Sequence, residues 1–71
     1  MSNLPIDIRL NGESYTVDAG TCVTMLIERL KLKRGRVAVE VNRAIVPKAQ
    51  WQRTVLQPGD AVEVVNFVGG G

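Results

Sequence analysis

The chain is 71 residues long, 45% hydrophobic and 23% charged, with a formal net charge of +2. That length supports one domain, too apolar to be disordered and too small to enclose a deep substrate pocket with its own catalytic groups. With no histidine and one cysteine, it lacks the commonest general base and metal ligand, and its lone thiol cannot close an internal disulfide or hold a zinc or iron–sulfur site. The mild basic excess does not by itself imply nucleic acid. Met1 to Pro5 has neither the basic nor the apolar region of a signal peptide, and no apolar run reaches membrane-spanning length. A cytoplasmic setting, with no membrane and no nucleic-acid partner, is the expectation.

In chain order, Ile6, Ile8 and Leu10 alternate with Asp7 and Arg9, the period of a strand with one buried face. Asn11-Gly12 follows, the strongest short hairpin signal, and Tyr15 and Val17 continue the alternation on a returning strand. Ala19-Gly20 breaks this pattern. Val23, Leu26, Ile27 and Leu30 then fall at helical spacing, predicting a helix from about Val23 to Lys31 with Thr21 or Cys22 as N-cap. Threonine is chemically the better cap. Gly35 ends a basic connection. Val37, Val39 and Val41 alternate as a third strand, Asn42-Arg43 reads as a tight turn, and Ala44 to Val46 as a short fourth strand closed by Pro47. Lys48 to Gln57 reads as a connection with one helical turn around Trp51, which is expected to clamp over the sheet edge. Pro58-Gly59-Asp60 is a turn rather than a phosphate loop, since proline sets φ and glycine allows φ > 0. A last strand runs from Ala61 to about Phe67. Its near-continuous apolar run suits a central strand paired in parallel with the first. The order predicts an α+β fold, a mixed four- to five-stranded sheet gripping one main helix.

Three features invite a chemical reading. The basic run Arg29, Lys31, Lys33, Arg34 and Arg36 lacks the interleaved aromatics of a stacking surface, so a solvated helix end that complements the helix dipole is the better reading. Cys22 sits where a helix N-terminus would lower a thiol pKa, but buried free cysteines are usually inert packing residues. The chain ends Gly69-Gly70-Gly71. Such an end is often no more than a loose tail. A tail without Cβ atoms can also thread a narrow channel and present an unhindered carboxylate. From Phe67 to Gly71 its extended reach is on the order of 17 Å. Composition leaves both readings open. Strand alternation places Val62 and Val64 inward, and Val65 and Phe67 on the outer face beside Glu63, an apolar pair at the root of the tail.

The tail Asn66-Phe67-Val68-Gly69-Gly70-Gly71 resembles the end of the ThiS family, sulfur carriers of thiamine thiazole biosynthesis. So does Val41-Asn42-Arg43-Ala44-Ile45-Val46-Pro47 with Trp51 downstream, the more discriminating stretch. The Asn11-Gly12 hairpin, the helix start Gly20-Thr21-Cys22-Val23 and Pro58-Gly59-Asp60 also fit. The chain departs from the family in Cys22, where threonine is frequent, and in ending on three glycines rather than two. The resemblance implies a ubiquitin-like β-grasp domain over residues 1–67, with 68–71 a flexible tail. It implies a carrier, not an enzyme. An ATP-dependent ThiF-type adenylyltransferase would activate the Gly71 carboxylate, a cysteine desulfurase system would supply sulfur indirectly, and a ThiG-type thiazole synthase would receive it from the C-terminal thiocarboxylate. Gly69 and Gly70 would thread the partner, with Val65, Phe67 and Val68 as docking residues. No bound cofactor or metal is implied; ATP is used by the partner. The same tail is shared with MoaD-type small subunits of molybdopterin synthase and with ubiquitin-like modifiers, which stay open as alternatives.

Overall fold

The computed structural model describes residues 4–67. Five strands form one mixed sheet: β1 (Pro5–Leu10), β2 (Glu13–Asp18), β3 (Val37–Val41), β4 (Ala44–Ile45) and β5 (Ala61–Asn66). Their order across the sheet is β2-β1-β5-β3-β4. Strand β5 is central, parallel to β1 and antiparallel to β3. The single α-helix among the described residues, α1, spans Val23–Arg29. This is the mixed sheet on one helix expected from the strand and helix periods, and the ubiquitin-like β-grasp arrangement that the resemblance implies.

The two hairpin turns explain the register. Asn11 and Gly12 have φ of 51° and 83°, and Asn42 and Arg43 have φ of 52° and 71°. Positive φ at both central residues matches the right-handed twist of the strands that such a turn joins, and asparagine tolerates it better than most residues. With the turns set, Ile8 and Val17 face α1 from β1 and β2, and Val39 and Val62 from β3 and β5. Val23, Leu26 and Ile27 of α1 are wholly buried against them. Burying each such side chain stabilises the fold by roughly 1.5–3 kcal/mol, so this one stripe contributes much of the core.

The start of α1 decides between the two expected caps, and its end corrects the sequence reading. The N-cap is Cys22, which makes no side-chain capping bond. The hydroxyl of Thr21 instead donates to the Asp18 carbonyl at 2.7 Å. The helix start is satisfied from outside. Val23 N–H donates to the Thr54 carbonyl at 3.0 Å and Leu56 N–H to that of Thr21 at 2.9 Å, around an isolated bridge between Cys22 and Val55. A tertiary strand contact thus replaces the side-chain cap. At the other end the helix stops before Lys31, which takes φ of 60°. Lys31 N–H bonds the Glu28 carbonyl at 3.0 Å and Leu32 N–H that of Ile27 at 3.3 Å. This double bond pattern is a Schellman ending, built here on lysine rather than the usual glycine.

The fourth strand is shorter than expected, ending at Ile45. The connection after Pro47 forms a 3-10 helix, Lys48–Arg53. Trp51 packs at the β4 edge of the sheet, as the clamp reading expects, and is buried there. It is 2% exposed within the core, and its indole N–H donates to the Val46 carbonyl at 2.9 Å, beside edge strand β4. Leu56, in the same connection, is also fully buried.

Candidate functional site

The site to be tested is the end of β5, from which the glycine tail departs in sequence. Strand β5 faces the core through Val62 and Val64, paired with Val41 and Val39 on β3. Its other face carries Ala61, Glu63 and Val65. Val62 is 0% exposed, whereas Val65 is 51% and Phe67 56% exposed. The alternation read from the sequence therefore holds through Phe67, and the ring does not fold back onto the core. An apolar pair facing water costs solvation with no return within the domain.

The register with β3 defines the neighbours of this pair. Glu40 lies opposite Glu63 and Ala38 opposite Val65. Phe67 N–H then donates to the Arg36 carbonyl at 2.6 Å. The outer surface of β3 and β5 is thus graded: a like-charged carboxylate rung, an apolar rung, and a final rung with exposed Arg36 beside Phe67. Carboxylates directly opposite one another are mildly destabilising in a sheet.

Two turn asparagines hold β5 in place. On the β3 side, Asn42 Nδ2 donates to Asp60 Oδ1 and Ala61 N–H donates to Asn42 Oδ1, both at 3.0 Å. Asp60 Oδ2 accepts the Gln57 N–H at 2.8 Å, which closes the turn before β5. On the β1 side, Val64 N–H donates to Asn11 Oδ1 at 2.8 Å and Asn11 Nδ2 donates to the Val64 carbonyl at 3.3 Å. In the sequence both asparagines read as turn residues, Asn42 also within the stretch that carries the resemblance; their contacts with β5 span 19 and 53 positions and have no local signal.

Elsewhere the chemistry is sparse. A shallow groove at the helix start is lined by Cys22, Thr24, Met25, Glu28 and Val55 among others. It brings together one carboxylate and one buried thiol, with no paired acid and base. Among the described residues no group of side chains could hold a metal ion, and no helix is long and apolar enough to cross a membrane. Of the basic run, Arg29, Lys31, Lys33 and Arg36 are exposed, and the Arg29 guanidinium stacks over the Tyr15 ring at 5.6 Å from its centroid. Val68, Gly69, Gly70 and Gly71 lie outside the described residues.

Comparison with known proteins places the chain. A segment of the thiazole synthase of Magnetococcus marinus is 44% identical over 64 residues, which is 90% of this chain and 20% of that protein. The chain thus spans about a fifth of that relative's length. The sulfur carrier protein ThiS of Escherichia coli is 30% identical over 66 residues, covering 93% of this chain and 100% of that protein. The crystal structure of ThiS from Geobacter metallireducens superposes with a TM-score of 0.79 at 35% identity, covering 93% of this chain and all of that one. The ThiS family model matches residues 8–71, the glycine tail included, and the chain belongs to the ThiS family.

Proposed function

We propose that this chain is a stoichiometric sulfur carrier for thiazole formation, with the Gly71 carboxylate as its working group. The observation that carries the reading is the family match, which spans Ile8 to Gly71. The geometry supports it: the last described residues before the tail present Val65 and Phe67 outward, where a partner could cover them.

The chemistry is borrowed. A carboxylate at neutral pH is a poor acyl donor. In a ThiF-type enzyme a Gly71 oxygen attacks the α-phosphorus of ATP and pyrophosphate leaves, giving an acyl-adenylate. A persulfide sulfur, derived from a cysteine desulfurase, attacks the acyl carbon and expels AMP. A thiol then attacks the sulfur–sulfur bond of the acyl disulfide. The thiol is oxidised to a disulfide, and the carrier keeps one sulfur as a thiocarboxylate. Glycines fit this task because the attacked carbonyl has no side chain near it and the tail can adopt any backbone conformation the channel needs. The acceptor is a thiazole synthase. In the Magnetococcus marinus thiazole synthase a segment like this chain is part of one polypeptide, an arrangement that would keep donor and acceptor together.

Intact mass spectrometry of the protein purified from cells making thiazole tests this. The expected result is a species heavier by the exchange of one oxygen for one sulfur, reverting on sulfur transfer to thiazole synthase. A lysine-linked adduct of the chain in its place would make it a protein modifier and end the carrier reading.

A further inference from the structure

Strand β1 is too short to pair with the whole of β5. The parallel register covers only Arg9 with Ala61 and Leu10 with Val62. The last backbone bonds between them are Arg9 N–H to the Asp60 carbonyl at 2.9 Å and Asn11 N–H to the Val62 carbonyl at 2.8 Å. Beyond Leu10 the chain turns away at positive φ. The next rung would need an acceptor for Val64 N–H and a donor for its carbonyl. The Asn11 carboxamide supplies both, at 2.8 and 3.3 Å. A primary amide has the same donor and acceptor as a peptide unit, so this side chain extends β1 by one rung of ladder. On the opposite side, the bond from Phe67 N–H to Arg36 fastens the strand to the end of the β3 side. Strand β5 is therefore held from both flanks just before the tail begins.

We propose that Asn11 is a positioning residue for the tail chemistry: its carboxamide fixes β5 at Val64 and so sets where Val65 and Phe67, the root of the glycine tail in sequence, are presented to a partner. This rests on the carrier reading above. Asn42 provides the internal contrast. It makes the same kind of contact with β5, but at Asp60 and Ala61, where the strand begins. Loss of either asparagine removes side-chain bonds of similar number and exposure. Only the loss of Asn11 loosens the half of β5 nearer the tail, where pairing with β3 is left as the remaining support.

The test compares Asn11→Gly, Asn11→Asp and Asn42→Gly in the full chain. Glycine keeps the positive φ of either turn while deleting the carboxamide. Two measurements are made: amide hydrogen exchange at Phe67, and ATP-dependent acyl-adenylate formation with a purified ThiF-type enzyme as carrier concentration is varied. In Asn11→Gly the saturating turnover should fall on the order of 10- to 100-fold, as for other small misplacements of a reacting group. Phe67 exchange should quicken. Asn11→Asp keeps the acceptor for Val64 N–H and should recover part of both. Asn42→Gly should lower the melting temperature yet leave both readouts near wild type. Wild-type turnover in Asn11→Gly, or an equal loss in Asn42→Gly, would overturn the proposal, since the first removes the effect and the second makes it general destabilisation. Should the wild-type chain itself not be adenylated, the carrier reading fails, and unchanged Phe67 exchange in Asn11→Gly would then refute the positioning role. Should Asn11→Gly fail to fold, Asn11→Asp carries the same comparison with the smaller change.

Discussion

Val62 and Val65 are the same residue type on the same strand, three positions apart and on opposite faces, so truncating each to alanine isolates burial. Val62 is 0% exposed and lies among Ile8, Val39 and the helix stripe. Removing two methyl groups there forfeits about 1.6 kcal/mol of transfer free energy at ~0.8 per carbon. A residual cavity of ~40 Å³ adds about 1 kcal/mol. The sum for Val62→Ala is about 2.5 kcal/mol, out of a total stability of roughly 4–10 kcal/mol for a chain of this size. Val65 is 51% exposed, so about half the transfer energy is at stake and no enclosed cavity forms; the cost of Val65→Ala should be below about 1 kcal/mol. The loss of β-propensity on going from valine to alanine is common to both and largely cancels in the comparison. The difference, about 1.5–2 kcal/mol, corresponds to a gap in melting temperature of about 6–16 °C between the variants. Urea and thermal unfolding followed by circular dichroism read it directly. Binding to a ThiF-type enzyme should rank them in reverse, with Val65→Ala the weaker binder. Equal destabilisation by the two substitutions would refute the assignment of the outer face, and with it the argument for a docking surface at the end of β5.

Phe67→Ala should weaken affinity for the activating enzyme by about 2 kcal/mol if the ring is an interface anchor, measured by titration calorimetry, while shifting the melting temperature little; a large thermal shift at unchanged affinity would assign the ring to the core. Cys22→Ser should still form the thiocarboxylate. Its stability should stay within about 1 kcal/mol of wild type, because a serine hydroxyl at the N-cap can bond the first turn and so offset the burial of a more polar group. Loss of sulfur loading in a folded Cys22→Ser protein would instead give the thiol a direct role. A single residue added after Gly71 should abolish adenylation, followed by pyrophosphate release, and leave unfolding unchanged. Full activation of that extended chain would show that the chemistry does not use the Gly71 carboxylate.

Short-range patterns were sufficient for the elements themselves. Alternation in Ile6 to Leu10 and Val37 to Val41, the stripe Val23-Leu26-Ile27-Leu30 and the Asn11-Gly12 dipeptide each specify a backbone conformation through the neighbours of a few residues. The apolar run Ala61 to Val65 pointed to the central place that β5 takes, although only its Val62 and Val64 face packs on the core while Ala61, Glu63 and Val65 stay exposed. The phase of that same strand placed Val65 and Phe67 on the open face. The link from fold to family was legible too, carried by the Asn42 to Trp51 stretch and the tail.

What the sequence by itself determined is therefore whatever one or two turns of chain decide: strands, helix, hairpins and the facing of side chains. The tertiary structure alone decided how polar groups were shared out. Thr21 could have capped α1, but its hydroxyl is committed to Asp18, and the free amide of Val23 is taken by Thr54 from a distant connection. Trp51 and Leu56 sit in a stretch without regular period, and only the space left between α1 and the sheet edge buries them. Asn11 and Asn42 read as turn formers because their positive φ is a local property. Their contacts with β5 depend on where a strand up to 53 residues away comes to lie. A hydrogen bond is directional and short, so its partner is set by the final three-dimensional positions of two backbones, which no local pattern encodes.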